Sequence, residues 1–561
     1  MKTSLLPLLL AAALAPAHAA EPRNIAPDAF VVAHNMPGAG FGVAPQDNAA
    51  HPTRGAVDGV IAGHPGNPKA EWATKGVTVE ASLCLRWTKP VRLVKVRLFD
   101  RPNPDDQILA GELITDSGKV YPVGPLENSG KAATEVTLDA APVKTLTFRV
   151  TKVSASTKNA GLAEFEALSP DPAPPRPEAI LPRVIYDENP GFVELHDLAW
   201  KQAMAHIRYR PGLAQPLYMD EACWDNTLWI WDTCFMALYC RYAADIFPGV
   251  ESLENFYAPI LDGTKSSLRI ETLDNPPLYA WAEYDHLVFT GDKSRAKRVF
   301  TGKRYLQRQF EWRETVKRGV KLPNVDHHPV RWQREPLGYL WETGYTGMDN
   351  TPRGRDHGQR NILWVDAIAQ QGLSALYISR MAERLGDARA AAEWKGKYEA
   401  LRKLVNERYW DKDDKFYYDI DSKTGAHSKV QTVASFWPMF AEMATPGQAA
   451  ALVAAFRNPN KFGGGAPFPS LARDDKDFSG GERRGDYWRG GVWLPTVYMG
   501  VKALEKYGYH DDARAASVTM LHRMLATYRN FSPATIWECY DPDSDRPSTE
   551  HGRTARPDFC G

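Results

Sequence analysis

The chain has 561 residues, enough for two or three domains and at least one large core. Its 68 lysines and arginines balance 68 aspartates and glutamates, which excludes the long-range basic field of a nucleic-acid binder or of a protein held on an anionic membrane. Fifteen of the 17 tryptophans lie beyond residue 184, so the aromatic excess belongs to the C-terminal part, where it suits either sugar stacking or a large core.

The chain opens MKTSLLPLLLAAALAPAHAA. Lys2 gives a short positive start, Leu5 to Leu14 an apolar stretch, and Ala17-His18-Ala19 a small-x-small cleavage site. The apolar stretch is too short to span a bilayer, and no other stretch is apolar enough to do so. The pattern predicts a signal peptide over residues 1–19 and a periplasmic or secreted mature protein. Export would permit disulfides among Cys84, Cys223, Cys234, Cys240, Cys539 and Cys560. Six cysteines allow fifteen pairings, and buried free thiols are equally compatible with the sequence. No Cys/His metal spacing occurs, and no metal or cofactor is predicted.

Residues 29–168 carry a strand period. In VRLVKVRLFD, Val94, Val96 and Leu98 face one way while Lys95 and Arg97 face the other. Leu146, Phe148 and Val150 repeat the habit, and GELITDSGKVYPV predicts a hairpin turning at Ser117-Gly118. Short strands between turn signals predict a β-sandwich. The run AVDGVIAGHPGNPKAEW followed by LCLRWTKPVRLVKVRLFD resembles discoidin-type (F5/8 type C) modules. That resemblance implies either a glycan-binding module or a structural sandwich. Residues 169–184, which include SPDPAPPRPEAILP with its six prolines, predict a stiff extended linker.

From residue 185 to 561 the period becomes helical. Leu195, Leu198, Ala199 and Ala203 share one face; Leu373, Leu376, Tyr377 and Met381 another; Trp394, Tyr398, Leu401 and Val405 a third, after a turn at Gly386-Asp387. A further pair is joined at Gly508. Helix pairs with aromatic-rich loops and no fixed repeat predict an all-α toroid of helical hairpins.

Candidate chemistry sits in three loops. The first, CWDNTLWIWDTCFM, holds Trp224-Asp225 and Trp231-Asp232. The second, YTGMDNTPRGRD, holds Tyr345, Asp349 and Arg353, with Trp341 and Glu342 just before it. Here Thr351 can cap a helix starting at Pro352, leaving Asp349 a bystander, or Asp349 can carry the reaction. The third combines GGGAPFPSLARDD and GDYWRGGVWLP with TIWECYDPDSD, which supplies Glu538.

Taken in order, GMDNTPR, GGGAPFPSLARDD, YWRGGVWLPT and WECYDPDSD resemble the (α/α)6 catalytic domain of family 63 glycoside hydrolases and their mannosylglycerate-hydrolase-like relatives, with family 37 trehalases more distant. WDTCFM and NPPLYAWA match as well. The resemblance spans roughly residues 190–561. It implies that Asp349 is the general acid and Glu538 the general base, and it makes Trp231, Asp232, Trp488, Arg489 and Trp493 walls of a sugar pocket. Trp341, Tyr345 and Arg353 join them as substrate-binding candidates. Trp341, Tyr345 and Met348 are expected to give Asp349 an apolar wall, and Glu342 to supply charge beside it or a substrate ligand.

An inverting glycosidase needs these residue types: a protonated carboxyl at the glycosidic oxygen and a carboxylate across the ring to activate water. The expected function is an exported inverting α-glycosidase acting on an α-linked gluco- or manno-configured oligosaccharide or glycoside. A carbohydrate-binding protein on an inactive scaffold and a polysaccharide lyase are the alternatives. DKDDKFYYDID (411–421) is acidic enough for calcium, but Lys415 and Phe416 stand where an EF-hand loop needs an oxygen ligand and a glycine, so a hairpin is predicted. His327 and His328 are expected to be structural. The family continues past the segment resembled by DFCG into a final helix. The expectation is therefore either that this sequence is a fragment or that the catalytic domain lacks its last helix, leaving Leu195, Leu198 and Ala199 as an exposed apolar stripe.

Overall fold

The computed structural model describes residues 21–34, 48–221 and 226–559. The predicted signal peptide lies outside them, as do Trp224, Asp225, Cys223 and Cys560. The chain divides into two compact units, with the main boundary between Ala179 and Ile180.

The first unit is built on two five-stranded sheets. In one, Gly161–Ser169 pairs antiparallel with Arg23–Asn24 on one side and Lys95–Asp100 on the other, and Thr134–Thr137 extends the sheet. In the other, Pro142–Val153 lies between Ser82–Arg92 and Ile108–Thr115. The period of two decides which face is buried. Val96 and Leu98 are buried, while Lys95 and Arg97 turn outward to Glu135 and Glu166. Leu146, Phe148 and Val150 are buried as well. The expected hairpin is present, with Gly118 at φ 80° in its turn.

The proline-rich segment is tied down by side chains. Arg92 holds Asp171 through two hydrogen bonds of 2.7 and 2.6 Å, the Thr88 hydroxyl donates to the Pro175 carbonyl at 2.8 Å, and Pro177–Ile180 makes a single helical turn. Side-chain anchors fasten the segment to the first unit, which composition alone does not disclose.

The second unit contains helices α1 (Pro190–Ala205), α2 (Ile230–Cys240), α3 (Glu254–Leu261), α4 (Tyr279–Thr290), α5 (Tyr305–Thr315), α6 (Val365–Leu385), α7 (Ala388–Arg408), α8 (Pro446–Arg457), α9 (Leu494–Lys506) and α10 (His510–Asn530). Asn189 caps α1 by accepting from the Gly191 N–H, with Pro190 at the first helical position. Gly386 at φ 83° ends α6, and the Asp387 carboxylate caps α7 through the Ala390 N–H. Gly508 at φ 81° turns α9 into α10. α2 packs on α4, α4 on α6, α6 on the short segment Trp437–Phe440, and that segment on α9. α10 packs on both α9 and α1, so the first and last of these helices meet.

The stripe on α1 is only partly open. Leu195 is buried and Leu198 half-buried, because α10 covers that side. Ala199 is exposed and borders an apolar groove of about 370 Å³ with Trp200, Phe235 and Tyr498. The acidic hairpin is as expected: Trp410–Asp411 pairs with Phe416–Tyr417, and Asp411 accepts backbone N–H groups of Asp413 and Asp414 and pairs with Lys429.

Candidate active site

The N-terminal ends of α2 and α9 and the loop ahead of α4 face one cavity of about 420 Å³. Its aromatic surface is supplied by Trp231, Tyr345, Trp488 and Trp493. Trp488 and Trp493 stack at 4.1 Å with an interplanar angle of 9°. Six carboxyl residues line the cavity: Glu221, Asp232, Glu271, Asp349, Glu538 and Glu550, together with Arg556. Two residues 189 positions apart in sequence, Asp349 and Glu538, are thus brought to one space.

Asp349 is not beside a helix start. Residues 353–357 form turns, with Gly354 at φ 71° and Gly358 at φ 75°, and the Thr351 hydroxyl caps nothing. The loop is held instead by its neighbour Asn350. The Asn350 side chain donates to the Asp486 carbonyl at 2.9 Å and accepts from the Trp488 N–H at 2.8 Å, while Arg489 Nε donates to the Asn350 carbonyl at 3.2 Å. The clamped loop is strained: Arg484, Gly485, Asp486 and Tyr487 have φ of 48°, 86°, 36° and 67°. A Cβ at Gly485 would lie 2.4 Å from the Gly491 nitrogen, so this turn needs glycine.

The strained loop delivers Tyr487 to Glu538. The Tyr487 hydroxyl donates to Glu538 Oε1 at 2.9 Å, and the Arg556 N–H donates to Oε2 at 3.3 Å. Glu538 itself is set by pairing of Cys539–Tyr540 with Val492–Trp493. Burial pushes the Glu538 carboxyl up to about 7, with Glu550 adding to the rise and Arg556 and Tyr487 opposing it. Asp349 meets water within the cavity, yet protein surrounds it at longer range. Its carboxyl is pushed up to about 7 by that desolvation, then by Glu550, against Arg556 and His551. Asp232 is also pushed up to about 7, by burial and then by the charge of Asp349. Asn275 positions the start of α2 by accepting from the Trp231 N–H at 2.8 Å.

Several expected site residues lie elsewhere. Arg353 is fully buried, paired with Asp366 at 2.7 Å and with Asp419, and stacked over Trp364 at 4.3 Å. It braces the fold and does not line the cavity. Trp341 is fully buried edge-on to Trp332 at 5.0 Å and does not line the cavity. Arg489 acts on the Asn350 backbone and pairs loosely with Asp477 at 3.9 Å. Glu342 is engaged by Arg318, Arg331 and Arg360, so its charge is not what raises Asp349. Met348 is buried, whereas Tyr345 does line the cavity.

His328 also differs from expectation. It lines the cavity, with Glu271 at 2.8 Å and Arg269 at 2.9 Å, while His327 is structural and accepts the Leu322 N–H at 2.7 Å. Glu221, Glu271, Glu550 and Arg556 escaped the sequence reading because no local pattern distinguishes them, and Tyr487 was passed over as well. Tyr487 alone had a signal, its place in YWRGG. Of the described cysteines, Cys84, Cys234 and Cys539 are buried free thiols, and Cys240 is buried.

A family model described as the mannosylglycerate hydrolase MGH1-like glycoside hydrolase domain matches residues 227–555. Residues 38–168 match a domain of unknown function, DUF7402, rather than a discoidin model. An uncharacterized protein of Borreliella burgdorferi is 26% identical over 390 residues, 66% of this chain and 75% of that protein. A mannosylglycerate hydrolase of Rubrobacter radiotolerans is 29% identical over 163 residues, 28% of this chain and 36% of its own length. A cytosolic neutral trehalase of Kluyveromyces lactis is 26% identical over 178 residues, 31% of this chain and 23% of its own length.

Proposed function

The chain belongs to the glycoside hydrolases of the mannosylglycerate hydrolase MGH1-like family, and from that premise we propose that it is an exported inverting α-glycosidase with Asp349 as general acid and Glu538 as general base. The observation that carries this reading is the pair of carboxyls on one aromatic-walled cavity, Glu538 held by two hydrogen bonds and Asp349 open to the cavity. Glu538 accepts hydrogen bonds from the Tyr487 hydroxyl and the Arg556 N–H, contacts that favour its carboxylate against the rise that burial imposes. Asp349 is open to the cavity with the negative charge of Glu550 nearby, which favours the protonated form that an acid must be. Inversion then requires a water between Glu538 and the anomeric carbon, with the two carboxyls ~6.5–9.5 Å apart.

The Trp488–Trp493 stack and Trp231 offer faces for a pyranose ring. An α-glucoside is the first candidate and an α-mannoside the second. We read the helical unit as an (α/α)6 toroid and the first unit as a discoidin-type sandwich, the latter from its two antiparallel sheets. The deciding experiment is hydrolysis of a panel of aryl α-glycosides and α-linked disaccharides, followed by NMR of the first anomer released. Release of the β-anomer is expected. An α-anomer first product, or an unsaturated product absorbing in the ultraviolet, would overturn the inverting hydrolase.

A further inference from the structure

Glu221 stands at the end of the short strand Leu217–Met219, which pairs with Ile207–Tyr209 and is fixed further by the Asp220 N–H donating to the His206 carbonyl at 3.1 Å. It is 1% exposed and lines the cavity. Neither of its carboxyl oxygens has a hydrogen-bond partner among the described residues. Two other buried groups on the same cavity share that condition, the Thr272 hydroxyl and the Trp493 indole N–H. A buried carboxyl without a partner is unfavourable in the free protein, and such a group is retained where a ligand completes it. Glu221 precedes the first residue of the family match, Thr227, so it is not part of the shared motif set.

We propose that Glu221 is a substrate-binding residue whose carboxyl hydrogen-bonds a ring hydroxyl of an uncharged hexopyranose, with the Thr272 hydroxyl and the Trp493 N–H completing that polar corner of the cavity. The inference rests on the reading of the cavity as a sugar site. Three unmatched groups, one donor and two able to donate or accept, suit adjacent hydroxyls of a polyol better than an apolar ligand. The electrostatics suit it too. Burial, Asp220 and Asp232 all hold the Glu221 carboxyl well above its ordinary range, against Arg556. A neutral carboxylic acid both donates and accepts, as a sugar hydroxyl does. An anionic ligand group would meet the surrounding carboxyls unfavourably.

The test is titration of the whole protein with D-glucose, D-mannose and their monodeoxy analogues, followed by tryptophan fluorescence. Wild type, Glu221→Gln and Glu221→Leu are compared, and thermal melts are recorded without sugar. Wild type is expected to bind one monodeoxy analogue about 10–100-fold more weakly than the parent hexose. Glu221→Leu should bind the parent that much more weakly and be indifferent to the same deoxygenation. Without sugar, both variants should melt at or above the wild-type temperature, since an unpartnered buried carboxyl is gone.

Unchanged hexose affinity and an unchanged deoxy pattern in Glu221→Leu would overturn the inference while leaving the glycosidase reading intact. A fall of several degrees in both variants would also overturn it, by revealing a structural partner. Failure of wild type to bind either hexose would overturn both.

Discussion

Tyr487 donates its hydroxyl to Glu538 at 2.9 Å from a loop in which four successive residues hold positive φ. For the three that are not glycine, Arg484, Asp486 and Tyr487, such strain costs ~1–3 kcal/mol each and persists only when the surroundings enforce it. Asn350, adjacent to Asp349, supplies that enforcement through the Asp486 carbonyl and the Trp488 N–H. The loops carrying the two carboxyls are therefore mechanically one unit.

Tyr487→Phe should lower kcat roughly tenfold, the worth of one hydrogen bond to a charged group. Because that bond favours the Glu538 anion, its loss should move the acid limb of the pH–rate profile upward. An acid limb that stays in place would show that Tyr487 does not act through Glu538.

Asp349→Asn and Glu538→Gln should each reduce kcat by ~10²–10⁴-fold, the range of general acid–base catalysis. Circular dichroism should be unaltered, since neither side chain holds the core. Near-parental turnover in either variant would remove that residue from the reaction.

The pH–rate profile should be a narrow bell centred near neutrality. Asp349 must keep its proton, so activity falls as pH rises through its value of about 7. Glu538 must lose its proton, so activity falls as pH drops through its own value of about 7. With the two values close together, few molecules hold both correct states at once. A broad plateau from pH 5 to 9 would contradict these environments.

Stability follows the opposite sense to the usual carboxylate. Glu538 has a folded value above its ordinary 4.5, so the folded state holds the proton more tightly and stability declines as pH rises from about 4.5 to about 7. Glu538→Gln should therefore raise Tm at pH 8, by up to ~3 kcal/mol of stability, and change little at pH 4. Equal shifts at both pH values would exclude this linkage.

Arg353→Met should destabilise the fold by ~3–5 kcal/mol, because it strands the Asp366 and Asp419 carboxylates in the core. Any surviving folded enzyme should keep its KM. A stable variant with a raised KM would return Arg353 to substrate binding.

Much of this protein is legible in its sequence because the information is local. A period of two marked Val96 and Leu98 as inward, and a period near 3.6 marked Leu373, Leu376, Tyr377 and Met381, all of them buried. Gly118, Gly386 and Gly508 sit at turns where positive φ is required. The motif around Trp231 and Asp232 placed both on the cavity, as did those carrying Asp349, Trp488, Trp493 and Glu538. Local pattern failed where a residue's role depends on direction. Arg353 and Trp341 stand within a few residues of Asp349 yet point into the core, while His328 and Tyr487 turn toward the cavity. Sequence by itself determined the two units, most of their elements and three of the six cavity carboxyls, Asp232, Asp349 and Glu538, since periodicity and turn chemistry act between near neighbours. Only the tertiary structure decided which carboxyls share a cavity, which are completed by Tyr487 and Arg556, and which, like Glu221, are left without a partner, because desolvation and charge coupling are set by groups hundreds of residues apart in the chain.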